Sequence, residues 1–497
     1  MVKVFSRRRF LTTTAAALTV GQGVFAAPPV SSLRPVQRGE EFYKRAVRDV
    51  DAIIAGEKLS GRVAFAVAHA DSGLWLECQH EQTGTPPASV TKAITALYAL
   101  EALGPTHKFE TQIYISGGIV NGEVQGDLIL AGGGDPTLDT NGLAEMAAAL
   151  KEAGVRSVKG KFRFYEAGLP VLRQIDSAQP DHVGYNPAVS GLALNFNRVH
   201  FEWKRGGNGY SVAMDARSEK YRPEVAVARM AVLDRSLPVY TYEDRGGTDN
   251  WTVAKGALGN GGSRWLPVRK PGLYAADVFA TMAGAQGIRL GKPTVVENAP
   301  SGDPLVTQPS PPLLKILRDM LRYSTNLTAE MVGLAASQKR GLKVNDLASS
   351  AAEMNRWAIA TLAMQAPKLV DHSGLGDAST VTALDMANAL IKVRNSALRP
   401  ILKPFVMRDK KGRPLKEHPI QVDAKTGTLN FVSALAGYIT GRDGTVMAFA
   451  IFAADMDARI AIKREDREAP AGGRSWNRRA KRVQQALIER WGVMYAT

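Results

Sequence analysis

The 497-residue chain carries one cysteine, Cys78, which excludes an internal disulfide whatever compartment the protein occupies. Cys78 lies in the alternating run Leu74-Trp75-Leu76-Glu77-Cys78, which predicts a small buried hydrophobe rather than a nucleophile. Histidine is scarce as well. The seven histidines form no His-Glu-x-x-His pair and no clustered spacing, so neither a catalytic metal nor a cofactor is expected. No segment stays apolar for the roughly 20 residues that a membrane-spanning helix needs. Aromatic residues make up 7% and form no basic-aromatic module of a known nucleic-acid-binding kind. The glycine run Gly132-Gly133-Gly134-Asp135 is not followed by Gly-Lys-Ser/Thr, which argues for a turn between strand and helix over a phosphate loop.

What the chain has in excess is positive charge, +16 in total. Part of it sits at the start, in Ser6-Arg7-Arg8-Arg9-Phe10-Leu11, before an uncharged stretch rich in Ala, Thr and Val that ends in Val24-Phe25-Ala26. A basic head, a mildly apolar middle and a small-x-small end predict a secretory signal over residues 1–26, of the twin-arginine type, and a mature protein in the periplasm. Loss of Lys3, Arg7, Arg8 and Arg9 with the signal leaves +12. That charge favours peripheral contact with an anionic cell envelope over nucleic acid.

Periodicity outlines an interrupted α/β chain. Apolar residues recur at helical spacing over 40–54, and strands are predicted at 62–68 and 74–78 around the turn Asp71-Ser72-Gly73. A helix is predicted over 90–103, which puts Ser89 at its start and Lys92 one turn on along the same face. Strands at 111–116, 123–131 and 157–165 with a helix at 141–153 follow, then a glycine- and arginine-rich β module, a helix at 275–286 and a proline-rich stretch at 300–312. Helices at 313–321 and 347–364, strands at 420–429, 434–440 and 446–453, and a closing helix at 475–491 complete the chain. Elements on both sides of a long insertion imply an α/β sandwich whose sheet is mostly antiparallel, because its strands connect by hairpins.

Three short motifs occur in one order: Ser89-Val90-Thr91-Lys92, Ser324-Thr325-Asn326 and Lys425-Thr426-Gly427. Ser-x-x-Lys and Lys-Thr-Gly occur once each. Ser-x-Asn recurs at Ser475, in a basic terminal helix where a structural role is expected. Together the three supply a serine nucleophile, two amines, a second hydroxyl and a carboxamide, sufficient to cleave an acyl bond through a covalent intermediate without histidine. Asp371-His372 resembles a dyad, but the following Ser373-Gly374-Leu375-Gly376 points to a structural turn near the cleft.

On these motifs, with Gly126-Asp127-Leu128, Gly132 to Leu138, Asp371 to Leu375 and Lys425-Thr426-Gly427-Thr428, the chain resembles the class C low-molecular-mass penicillin-binding proteins, D-alanyl-D-alanine carboxypeptidases and endopeptidases. The resemblance implies a serine transpeptidase/β-lactamase-like sandwich with two nested, β-containing inserted domains. The segments would be 27–104, 105–183, 184–264, 265–304 and 305–497, the first and last forming the transpeptidase-like domain and 184–264 the inner insert. It implies Ser89 as nucleophile, Lys92 as base, Ser324 as proton carrier and Asn326 as orienting group. Lys425, Thr426, Gly427 and Thr428 would bind the substrate, with the N–H groups of Ser89 and Thr428 as an oxyanion hole worth about 3–4 kcal/mol per donor. Peptidoglycan stem peptides would be substrates and β-lactams covalent inhibitors. A β-lactamase and a non-catalytic peptidoglycan-binding protein are the alternatives. Ser324 stands where class C β-lactamases carry tyrosine, and no Glu-x-x-Leu-Asn segment of the class A kind lies between the first two motifs.

Overall fold

A computed structural model of the protein describes residue 44 and residues 47–409 and 411–496. The signal segment 1–26 and most of the predicted helix before residue 50 lie outside the described residues. Helix α1, Val50–Gly56, starts where the Asp49 carboxylate accepts from the Ala52 N–H at 2.6 Å. Strands β1 (Arg62–His69) and β2 (Trp75–Gln79) form a hairpin. A 3-10 turn, Ala88–Val90, leads into α2, Thr91–Leu103.

The second half supplies α3 (Leu313–Tyr323), α4 (Asn326–Lys339), α5 (Leu347–Leu362), α6 (Ala383–Lys392), β3 (Lys403–Pro404), β4 (Gln421–Leu429), β5 (Val432–Thr440), β6 (Val446–Ala454) and α7 (Gly473–Tyr495). The strands make one antiparallel sheet in the order β3-β4-β5-β6-β1-β2, so elements from the two ends of the chain meet at β6 and β1.

Strand alternation decides how this sheet is covered. Val63, Phe65 and Val67 of β1, Leu435 and Ile439 of β5, and Phe449 and Ile451 of β6 face α7, whose Trp476, Leu487, Ile488 and Trp491 are buried against them. The alternate residues are mostly small: Ala66, Ala434, Ala436, Ala448 and Ala450 face α2 to α6. Small residues there let the helices approach the sheet closely, so the first nine residues of α2 are buried. Each large apolar side chain so buried contributes roughly 1.5–3 kcal/mol. Sheet and helices form the expected sandwich.

Between α2 and α3 lie a five-stranded sheet that includes Leu128–Gly132 and Phe162–Tyr165, two three-stranded sheets built from six strands between Arg198 and Pro267, and a small three-stranded sheet. The helices Thr140–Glu152 and Pro271–Ala285 pack into the same apolar core as these sheets.

Three expectations need correction. The strands expected at 123–131 and 157–165 are each broken in two, because Gly126 and Gly160 cross so closely that a Cβ on Gly160 would lie 2.4 Å from the Gly126 carbonyl oxygen. Cys78 is exposed rather than buried. A register shift opposite Val67 and Ala68 breaks the alternation, Glu77 turns to accept from the Trp491 indole at 2.8 Å, and Cys78 is left on the rim of the edge strand. The expected helices also omitted α4 and α6.

Candidate active site

Ser89 is the middle residue of the 3-10 turn, after Ala88 with φ of +46°. The turn is tightly held: a Cβ on Gly374 would lie 1.9 Å from the Ala88 carbonyl oxygen, and one on Gly427 would lie 2.8 Å from that of Pro87. Two strand and loop glycines thus clamp the backbone that carries Ser89. Its side chain is half-buried while Lys92, three residues on, is completely buried. Helical spacing brings Lys92 Nζ to 3.0 Å from Ser89 Oγ.

Lys92 Nζ has two further neighbours, Asn326 Oδ1 at 2.8 Å and the Ser373 carbonyl at 2.7 Å. Both oxygens only accept. A neutral amine has two N–H groups and one lone pair, so donating to these two leaves its lone pair facing the Ser89 hydroxyl. That is the arrangement of a general base. Burial lowers the Lys92 pKa to about 8, against the opposing pull of the Glu330 and Asp371 carboxylates.

The Ser-x-Asn motif gets its shape from a helix break. Ser324 ends α3 in the left-handed conformation, φ +60° and ψ +39°, and its N–H closes on the Met320 carbonyl at 2.8 Å. Thr325 returns to extended backbone and Asn326 opens α4. Such a left-handed serine costs of order 1 kcal/mol, and the abrupt reversal turns Ser324 and Asn326 into one cleft. Asn326 Nδ2 donates to the Tyr185 carbonyl at 2.9 Å, which orients the carboxamide so that its oxygen meets Lys92.

Lys425 projects from β4 on the helix side, 1% exposed, and donates to Ser324 Oγ at 3.0 Å and to the Thr426 carbonyl at 2.6 Å. Burial, then the charges of Lys92 and Lys403, hold its amine well below the ordinary lysine range. Thr426 and Thr428 alternate to the exposed side of the strand. Thr428 lines the cleft with Ser89, Ser324 and Asn326, whereas Thr426 does not line it. A side chain at Gly427 would strike the Pro87–Ser89 turn, with its Cβ 3.0 Å from the Ser89 nitrogen. The outer edge of β4 is paired only at Asp423 and Ala424, by β3, so from Lys425 onward it has no second strand among the described residues.

Motif reading missed a buried carboxylate pair under this cluster. Glu330 accepts from the backbone N–H groups of His372 and Ser373, both at 2.9 Å, and Asp371 accepts from Gly374 at 2.7 Å and Gly376 at 2.6 Å. They hold the 371–376 turn so that its Ser373 carbonyl meets Lys92. Burial raises both carboxyl pKa values. One signal was available: Glu330 is four residues after Asn326, on the same face of α4. His372 does not reach the cleft. It is fully buried, with Nε2 2.7 Å from Ser350 Oγ, and desolvation lowers its pKa to about 3.

The cleft has a volume of about 840 Å³. Beyond Leu429 and Asn430 its wall is cationic, formed by Arg459, Arg467, Arg474, Arg478 and Lys481. Asp377 pairs with the first two, binding Arg467 at 2.6 Å, while the other three have no carboxylate partner among the described residues.

An antiparallel sheet between helices, with a serine–lysine pair at one helix start, is the architecture of the penicillin-interacting serine peptidases. Comparison with known proteins agrees. The sequence profile of the D-Ala-D-Ala carboxypeptidase 3 (S13) family matches residues 46–470, and the chain belongs to that family. It is 29% identical over 445 residues to a D-alanyl-D-alanine carboxypeptidase of Actinomadura sp., covering 81% of this chain and 80% of that protein. It is 25% identical over 405 residues to the D-alanyl-D-alanine carboxypeptidase DacB of Haemophilus influenzae, covering 73% and 79%. The crystal structure of penicillin-binding protein 4 from Haemophilus influenzae superposes with a TM-score of 0.71 at 19% identity, over 90% of this chain and all of that one.

Proposed function

We propose that the chain is a serine D-Ala-D-Ala peptidase that acts on peptidoglycan stem peptides through an acyl-enzyme on Ser89. The observation that carries this reading is the buried Lys92 amine 3.0 Å from Ser89 Oγ, with both of its N–H groups engaged by acceptor-only oxygens.

In the first step Ser89 Oγ attacks the carbonyl of the D-Ala-D-Ala bond and its proton passes to the Lys92 lone pair. The developing oxyanion is met by the N–H groups of Ser89 and Thr428. The C–N bond then breaks as the proton held on Lys92 passes through the Ser324 hydroxyl, which Lys425 positions, to the departing amine, and Lys92 is left neutral again. Ser324, backed by Lys425, holds the terminal carboxylate of the leaving D-alanine. Water hydrolyses the Ser89 ester with Lys92 again as base. The substrate chain lies along the open edge of β4, adding a strand to the sheet. The acyl portion continues past Thr428 toward the cationic wall, which suits a stem peptide rich in carboxylates. β-Lactams, one of which is bound in a structure of the Haemophilus influenzae relative, are the corresponding covalent inhibitors.

The remaining readings follow the same line. The protein is exported by the signal at residues 1–26 and works at the cell wall, and residues 105–304 are carried as nested insertions in the transpeptidase-like domain. No helix among the described residues is long and apolar enough to cross a membrane.

The test is incubation of the purified protein with a fluorescent penicillin and with a defined pentapeptide muropeptide. Wild-type protein takes up one label per chain and removes one D-alanine, and Ser89→Ala does neither. Rapid turnover of the penicillin would favour a β-lactamase, and absence of labelling would favour a non-catalytic wall-binding protein.

A further inference from the structure

A second depression, of about 870 Å³, lies at the opposite end of β4 from the cationic wall. Arg318 and Arg322 come from α3, one turn apart, and Arg394, Arg399 and Lys403 come from the chain that leads into β3. Five cations face a single carboxylate, Asp423. Arg399 lies 3.7 Å from it and Arg394 lies 3.2 Å from Asp71, but Arg318, Arg322 and Lys403 have no carboxylate partner among the described residues. Concentrating uncompensated like charges in one hollow is unfavourable without an anion to fill it.

The position of this pocket relative to the reaction gives it a meaning. On that reading the reacting carbonyl sits at Ser89 and Thr428, and the carboxylate of the leaving residue sits at Ser324, backed by Lys425. The substrate therefore runs along β4 with its acyl part toward Leu429 and its leaving part toward Asp423. Lys403 pairs with Ala424 in the ladder, and Arg322 stands two residues before Ser324, so the pocket borders the residues that would hold the leaving group. A single D-alanine would end at Ser324. A leaving group that is itself a peptide continues into the pocket.

We propose that this arginine pocket is the subsite that receives the leaving strand when the substrate is cross-linked, an acidic peptide whose free carboxylates it pairs with. The inference rests on the D-Ala-D-Ala peptidase reading above. It assigns Arg318 and Arg322 the largest share, because both are exposed and on one face of α3.

The experiment compares two substrates of the full-length mature enzyme: a monomeric pentapeptide muropeptide and a D-Ala-linked muropeptide dimer. The double variant Arg318→Glu/Arg322→Glu loses tenfold or more in kcat/KM on the dimer and less than twofold on the monomer. Arg318→Gln/Arg322→Gln gives a smaller loss in the same direction. Cleavage of the dimer by wild type also falls more steeply with added salt than cleavage of the monomer. Labelling by fluorescent penicillin, unchanged in both variants, reports that the site is folded. Equal effects on the two substrates, or no effect on either, would overturn the proposal. A wild type that trims the monomer and leaves the dimer intact sinks the pocket assignment but leaves the peptidase reading standing. A wild type that neither labels nor trims sinks both.

Discussion

The backbone of Gly427 closes on that of Ser89: a Cβ built on the glycine would lie 3.0 Å from the serine nitrogen. Two of the three motifs are therefore joined by main-chain packing before any side chain takes part. This contact also sets the distance between the Ser89 and Thr428 N–H groups that would hold an oxyanion.

Gly427→Ala forces strand and turn apart by a few tenths of an ångström. Acylation by a penicillin should slow by about 10²-fold, the scale of losing one oxyanion donor. The melting temperature should change little, because strand β4 keeps its pairing with β5 along its whole length. Stopped-flow acylation and a thermal scan on the same samples check both halves. Unchanged acylation would mean that the contact does not position the serine.

Protonation of Lys92 should control the acid side of the pH profile. Its pKa of about 8 makes activity rise with pH up to that value, as the neutral amine becomes populated. Glu330 opposes the desolvation of Lys92, so Glu330→Gln removes a charge that favours the ammonium form. The acid limb of kcat/KM should move to lower pH. A limb that stays in place would show that another group titrates there.

His372 makes a prediction about stability. Its folded pKa of about 3 lies below the unfolded value near 6.5, so the unfolded chain binds the proton first as pH falls. The stability this histidine permits is complete above about pH 6.5 and is lost progressively toward pH 3. Between pH 7 and pH 5 the loss is about 2 kcal/mol at 1.36 kcal/mol per unit. Urea unfolding of wild type and His372→Gln at the two pH values isolates it, since the variant lacks this component of the slope. Equal slopes would place the histidine in solvent.

Legibility differed residue by residue. Ser89 and Lys92 are three apart at a helix start, and one turn of helix is enough to bring amine and hydroxyl together. The alternation of Val63, Phe65 and Val67 likewise marked which face of β1 would be buried. Cys78 was misread because a single register shift in its hairpin broke the alternation on which the reading depended. Helix α4 escaped notice because it is buried almost all round and has no amphipathic stripe to betray it.

What local sequence determined, then, is the set of reactive groups, their order along the chain and the helical pairing of Ser89 with Lys92. These depend on backbone periodicity over a few residues. Only the tertiary structure decided that Asn326, 234 positions from Lys92, would meet its amine. It also decided that Glu330 and Asp371 would lie buried beneath the lysine, and that Gly427 would serve the serine turn. Each of these follows from desolvation and close packing among segments far apart in the chain, and no short stretch of sequence contains that information.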